Sequence, residues 1–317
     1  MIKNNERTIL VTGATGTVGS EVVKQLLASS SSSSSSSGHN IIRAAVHSQN
    51  KADKLRHENN NKDVEIVNTD YNKPETLKEA LKNVDRVFLL TPFQSDMVQL
   101  SSNLVTEAKK AGIRHIVKQS AIGADMEADV TALRLHRQAE KIIEDSGISC
   151  TFLRPNEFMQ NIINFHSHTI KSNNAFYFPR EDAKVSFVDV RDIAAVAVKI
   201  LTDDDGNDDR HEGKAYTITG PEALSYYQVA EILSNATGRK IGYVNVSDKE
   251  ARRAMKDMGW DDSRINNSLE VSDYFRKGYG SQVSSAVEEV TGRKPITFAQ
   301  FAKDYAEVLD DIQIRIS

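Results

Sequence analysis

Three kinds of signal are nearly absent from this chain. Cys150 is its only cysteine in 317 residues, so an intrachain disulfide is impossible and a cysteine-built zinc site is disfavoured. The residue sits in the apolar stretch 148–153, where a buried structural thiol is the expected role. No apolar run approaches the ~20 residues that span a bilayer, and the polar start at 1–7 lacks the apolar core of a signal peptide. Nor does either charge sign dominate. The 40 basic and 44 acidic residues leave a formal net charge of −4, which provides no electrostatic footprint for direct nucleic-acid or anionic-membrane binding. A cytoplasmic or also nuclear location follows as the expectation.

What is present is the rhythm of an α/β protein. Short apolar runs at 8–11, 41–46, 64–67, 87–90, 116–119 and 151–153 alternate with helical patterns such as 18–27, 97–111 and 132–145. Continuous apolar runs suit strands covered on both faces. The fold class expected is a Rossmann-type doubly wound parallel sheet over 1–155, with a smaller, partly discontinuous α/β lobe over 156–317. Part of the later chain, 185–220, is expected to return to the main sheet. Residues 187–194 read as a strand turning into a helix, 225–237 as a helix capped near Ser225, and 297–309 as a last helix with a capping box. The serine tract 29–37 falls outside this rhythm and reads as a flexible surface insertion.

The chemistry begins where the first strand meets the first helix. Gly13, Thr15, Gly16, Thr17, Val18 and Gly19 form a glycine loop suited to a pyrophosphate. It gives a tight turn, close backbone approach, and unpaired helix amides facing the anion. The end of the second strand offers Arg43, His47, Ser48 and Lys51 in place of the carboxylate expected of an NAD site, which favours NADP(H) over NAD(H). Alternatively, Arg43 and Lys51 are solvated surface charges, or Arg43 faces away from the site, since strand residues alternate. Asp70, with Tyr71 beside it, ends the third strand and either meets an adenine amino group or serves as a turn acid. Thr91, Pro92 and Phe93 close the fourth strand, and Ser120 the fifth, facing the same crevice by topology. His166 and His168 stand two residues apart and do not share a helical face, so no metal site is expected there. An acidic stretch at 203–212 mimics a calcium loop poorly, with a leucine at its first position.

Several longer runs carry a family resemblance: 11–16, 135–140, 146–148, 153–161 and 187–194. They resemble the NmrA-like atypical short-chain dehydrogenases, and the similarity covers nearly the whole chain outside the serine tract. The resemblance implies a dinucleotide-binding fold with Pro155, Asn156 and Phe158 near the cofactor. The family includes quinone and azo reductases as well as regulators that sense nucleotide without turnover. The chain departs from ordinary short-chain dehydrogenases in that no Tyr-x-x-x-Lys follows Ser120. His136 falls where related reductases carry a ribose-binding lysine. It could bind ribose, act as a weak acid near neutral pH, or be a surface histidine paired with Glu140. Ser120 and His136 are thus the candidate catalytic residues.

The missing pair points first to an NADP(H)-binding redox sensor in differentiation or transcriptional control. Cofactor binding would close a cleft and present a face to a protein partner. The alternative is an NADPH-dependent reductase of quinones or azo compounds, with Phe93, Phe158 and Tyr177 as an apolar floor for a flat acceptor.

Overall fold

The computed structural model describes residues 7–32, 40–48, 50, 51, 53, 55, 64–126, 129–203 and 210–310. In chain order its elements begin with β1 (Thr8–Val11), α1 (Thr17–Ser32), β2 (Ile41–Val46), β3 (Val64–Asn68) and α2 (Pro74–Ala80). Next come β4 (Arg86–Leu89), α3 (Met97–Ala111), β5 (His115–Gln119), α4 (Thr131–Ser146) and β6 (Ser149–Pro155). Then follow α5 (Gln160–Asn173), β7 (Ala175–Phe178), β8 (Lys184–Val185), α6 (Val190–Thr202), β9 (Ala215–Ile218) and β10 (Leu224–Ser225). The remainder is α7 (Tyr226–Thr237), β11 (Gly242–Asn245), α8 (Asp248–Asp257), α9 (Asp262–Arg276), α10 (Ala286–Thr291), α11 (Phe298–Asp304) and α12 (Ala306–Asp310).

Seven strands form one sheet in the order β3-β2-β1-β4-β5-β6-β9. The pairs from β3 to β6 are parallel. At the β6–β9 edge the bonds Phe152 N–H to Lys214 O and Asn156 N–H to Ile218 O advance along both strands together. That sense is parallel too. The order reverses beside β1, the topological switch at which such sheets bind ligands at their carboxyl ends. Strands β1 and β4 are buried at every position, as both-face coverage requires. Leu10, Val87, Leu104, Ile116, Ile143 and Phe152 belong to one continuous core cluster.

The chain divides into two compact units. The first comprises Met1–Ala124, Leu135–Arg154 and Ile193–Tyr216; the second comprises Asp125–Arg134, Pro155–Asp192 and Thr217–Ser317. Residues 193–216 group with the first unit and 125–134 with the second. The second unit holds two small sheets, β10-β8 and β11-β7. Its helix α7 opens with a reciprocal capping box between Ser225 and Gln228.

Three local expectations change. The serine tract does not begin as a loop, for α1 continues through Ser32. The Ser29 and Ser30 hydroxyls donate to the Leu26 carbonyl at 2.7 and 3.0 Å, so the helix's own acceptors extend it. The rest of the tract, and 204–209 of the acidic stretch, lie outside the described residues. Residues 187–194 form no strand beyond a bridge between Phe158 and Val188, and α6 begins early, at Val190. The last helical pattern is two helices, interrupted at Tyr305, where φ is −111°.

Helix α1 lies so close to the loop before it that a Cβ on Gly19 would sit 2.1 Å from the Gly13 carbonyl oxygen. Gly19→Ala is therefore expected to destabilise the protein by about 1–3 kcal/mol through overpacking. A urea midpoint equal to the wild type would contradict that close approach.

Candidate dinucleotide site

The glycine loop is assembled from its backbone. Gly13 adopts φ 64°, in the left-handed region. Gly16 N–H donates to the Gly13 carbonyl at 2.9 Å, and Ser20 N–H to the Gly16 carbonyl at 3.0 Å. That second bond starts the helical ladder, so Thr17, Val18 and Gly19 occupy the positions whose amides have no intrahelical acceptor. Gly16 and Thr17 are exposed, Thr15 is half-buried, and Val18 packs inward. Thr12, fully buried, fixes the neighbouring strand end. Its hydroxyl accepts from Leu90 N–H at 2.8 Å and has the Leu90 and Phe88 carbonyls at 3.1 and 3.2 Å.

Around this loop the sequence candidates separate. Arg43 is fully engaged elsewhere. Nε and Nη2 lie 2.8 and 2.7 Å from the Glu65 carboxylate, and Nη1 donates to the Ala80 and Lys82 carbonyls at 3.0 and 2.7 Å. It faces across β3 and the end of α2, as strand alternation allows. His47 and Lys51 are exposed and Ser48 is half-buried beyond the end of β2. Asp70 has the geometry of a turn acid. Its carboxylate accepts from Asn72 N–H at 3.0 Å and pairs with Lys73 at 3.4 Å. The Asn72 N–H is the main cause that holds its pKa below the ordinary value. Tyr71 braces the end of β4 by donating to the Leu90 carbonyl at 3.0 Å, and burial pushes its phenol up to about 12. Thr91 is buried with its hydroxyl 3.0 Å from that of Ser101. Pro92 and Phe93 are exposed.

Phe93 stands over His136, the two rings nearly parallel with centroids 6.4 Å apart. His136 is no surface histidine: its Nδ1 is buried and has no hydrogen-bond partner. Burial, then the nearby Lys118 charge, push its pKa down to about 3. At neutral pH the imidazole is uncharged, which removes the weak-acid role expected of it.

Sequence reading passed over the group beneath His136. Lys118, in the middle of β5, is fully buried and its Nζ donates to the Gln119 carbonyl at 3.0 Å. Burial lowers its pKa to about 8, against the raising influence of Glu140. Glu140, one helical turn from His136, is also fully buried. It accepts from Arg154 Nε and Nη2 at 3.0 and 2.8 Å and from Arg137 at 3.0 Å. Burial pushes the Glu140 carboxyl up, but hydrogen bonds from Arg154 and its neighbours prevail and hold it below the ordinary value. Ser120 adjoins the same carboxylate, yet its buried Oγ makes no hydrogen bond of ordinary geometry. The signal was a charged residue within an apolar strand covered on both faces.

Among the described residues, seven side chains carry a buried atom without a hydrogen-bond partner, and four of them belong to the ends of β3 and β5 and to α4. Thr69 Oγ1 follows β3, Gln119 Oε1 and Ser120 Oγ close β5, and His136 Nδ1 reaches from α4. Each such atom is costly unless something satisfies it. A dinucleotide fits: the loop amides suit a pyrophosphate, while these atoms suit ribose hydroxyls and a carboxamide.

The remaining candidates belong to the second unit. Pro155 ends β6. Asn156 is fully committed, with its amide donating to Ser186 Oγ and the Gly280 carbonyl at 2.7 and 2.8 Å and its Oδ1 accepting from Glu157 N–H at 2.8 Å. Phe158 is half-buried and Tyr177 exposed. His166 packs inward 4.1 Å from the Phe178 ring centroid while His168 is exposed, so the two diverge.

The NmrA-like family model matches residues 5–302. The chain belongs to the NmrA-like family. Among its relatives, the NAD(P)H azoreductase of Xenophilus azovorans is 39% identical over 298 residues, covering 94% of this chain and 98% of that protein. Prestalk A differentiation protein A of Dictyostelium discoideum is 28% identical over 306 residues, covering 96% and 94%. A solved structure of Citrobacter sp. triphenylmethane reductase complexed with NADP(H) matches with a TM-score of 0.79 at 25% identity, covering 94% and 99%. The NmrA-like assignment thus joins reductases and a protein named for differentiation. No described helix is long and apolar enough to cross a membrane.

Glu140→Gln should destabilise the fold by about 3–5 kcal/mol, since it removes the carboxylate that binds Arg154 and offsets the buried Lys118 charge. Because folding depresses the Glu140 pKa, its contribution is complete above the unfolded value of 4.5 and is lost as pH falls through the lower folded one. Urea titrations from pH 7 to 3 check this. Equal pH slopes in wild type and variant would contradict the assignment.

Proposed function

We propose that this NmrA-like protein is an NAD(P)H-dependent oxidoreductase of azo or quinone acceptors that prefers NADP(H) to NAD(H). The observation that carries the reading is the row of unpartnered buried atoms at Thr69, Gln119, Ser120 and His136, beside a glycine loop with open amides. The similarity to an azoreductase over nearly the full length supports the reaction class. For the cofactor, His47, Ser48 and Lys51 bring cationic and hydroxyl donors to the end of β2, where a carboxylate would repel a 2′-phosphate.

In this mechanism the loop amides and the start of α1 hold the pyrophosphate. Ser120 and the neutral His136 orient the ribose beside Phe93, whose 46% exposure leaves an apolar face for a flat acceptor. A bound nicotinamide supplies the hydride, and the protein's share is orientation and exclusion of water.

The test is absorbance loss of NADPH with a panel of azo dyes and quinones. Turnover above the uncatalysed rate is expected, and none with any acceptor would overturn the reading. Gly16→Asp should abolish cofactor binding by setting a carboxylate against the phosphates; unchanged affinity would remove the loop from the site. Replacing His47 and Lys51 together by Ala should weaken NADPH by about tenfold, roughly 1.4 kcal/mol of lost phosphate contact, and leave NADH unchanged. Equal losses would show that neither residue reads the 2′-phosphate.

A second reading, a redox sensor acting through a protein partner, is favoured by the lack of Tyr-x-x-x-Lys and by the similarity to the differentiation protein. It requires unequal affinities for NADP+ and NADPH. Equal affinities in titration calorimetry would exclude it.

A further inference from the structure

The reductase reading gives a flat acceptor one exposed ring, Phe93. The second unit, taken by itself, carries a further pair of exposed apolar side chains. Met126 is 46% exposed and Tyr279 47%. Single exposed apolar side chains are ordinary on a protein surface, but these two are held in place. Both meet Tyr274, a buried residue of α9. The Tyr274 hydroxyl donates to Met126 Sδ at 3.5 Å, and its ring lies 5.0 Å from that of Tyr279 with the planes tilted by 31°. Burial, then the Asp125 charge, push the Tyr274 phenol up to about 12, so it keeps its proton at neutral pH.

The backbone on either side is fixed as well. Glu270 Oε2 accepts from Thr131 N–H at 2.7 Å and Asn267 Oδ1 from Ala132 N–H at 3.1 Å. Val130 has no side-chain oxygen with which to cap α4, so α9 supplies the acceptors for its first amides. With Tyr274 on Met126, the contacts recur at 267, 270 and 274, one stripe of a helix. Beyond α9, Gly280 lies so close to the Phe275 ring that a Cβ would approach Cδ1 to 2.5 Å. Its carbonyl accepts from Ser186 N–H at 2.9 Å and from the Asn156 amide at 2.8 Å. Tyr279 is thus exposed on a pinned loop. Along the chain, Met126 lies between Ser120 and His136.

We propose that Met126 and Tyr279, backed by Tyr274, form a preformed platform for an aromatic ring of the acceptor. The inference rests on the reductase reading and names a specificity surface for it. The occupant is a planar aromatic azo compound or quinone, stacked on the outer face of Tyr279 with the Met126 thioether at its edge. Stacking and sulfur contacts make no demand on particular polar substituents, so the platform selects for flatness and ring size. Because the loop and the helix stripe already hold both side chains, little conformational freedom is lost when the ring arrives.

The experiment compares wild type, Tyr279→Ala and Tyr279→Phe in KM and kcat with a naphthyl azo dye and with benzoquinone, and in NADPH affinity by calorimetry. A third readout follows the Met126 methyl by ¹³C NMR as the dye is added to wild type saturated with NADP+, where no turnover occurs. Tyr279→Ala should raise KM for the dye about tenfold, the scale of one lost aromatic stack. The loss should fall on KM far more than on kcat, with NADPH affinity unchanged. Tyr279→Phe keeps the ring and should recover most of it. The dye should lose more than benzoquinone, whose single ring covers less of the platform. The Met126 methyl should shift saturably with the dye, a readout that still decides the matter should the alanine variant misfold. A wild-type KM for both acceptors in Tyr279→Ala, or a Met126 methyl unmoved at saturating dye, would overturn the platform while leaving the reductase reading intact. A wild type inactive with every acceptor would overturn both.

Discussion

The buried carboxylate of Glu140 is the interaction on which the site depends. It joins α4 to β6 through two hydrogen bonds from Arg154 and offsets the charge of a fully buried lysine on β5. Remove it, and the buried Lys118 ammonium would lose the carboxylate that offsets it in a low-dielectric interior, a cost larger than most single contacts can offset. One helical turn away, burial and then the Lys118 charge keep His136 neutral. The carboxylate therefore ties α4 to β6 and steadies the charge of the lysine beneath His136.

The chain has no Tyr-x-x-x-Lys after Ser120, and its buried polar groups stand differently. The ordinary pair puts its proton donor and its tuning cation on one helix. Here the cation stands on β5 and the neutral imidazole on α4, with Ser120 beside the Glu140 carboxylate. Under the proposed reading, sensing and turnover would draw on the same parts, because both need the glycine loop and the ribose contacts. They diverge only in whether a proton reaches an acceptor.

Much of this was readable before the structure, and the reasons differ by element. The parallel sheet was legible because buried strands leave uninterrupted apolar runs. The glycine loop was legible because a tight turn against a helix tolerates so few side chains: Gly19 has no room for a Cβ. Arg43 stayed open because a strand residue can face either way, and sequence does not show that Glu65 and two carbonyls engage it. Asp70 carried an open alternative, and its bond from Asn72 N–H shows the turn geometry. Lys118 went unnoticed because it looked like a break in an apolar run, and its partner Glu140 lies 22 residues further on. The small sheets of the second unit were invisible because β8 and β10 are two residues long, too short for any period to register.

The central claim is that one sheet edge of the first unit binds a dinucleotide with its nicotinamide end at Ser120 and His136. Amide chemical-shift mapping with NADPH tests it most directly. Shifts at Gly16, Thr17 and Val18 together with Ser120 and His136 are the predicted result. Saturable binding that leaves these five amides unmoved would contradict it.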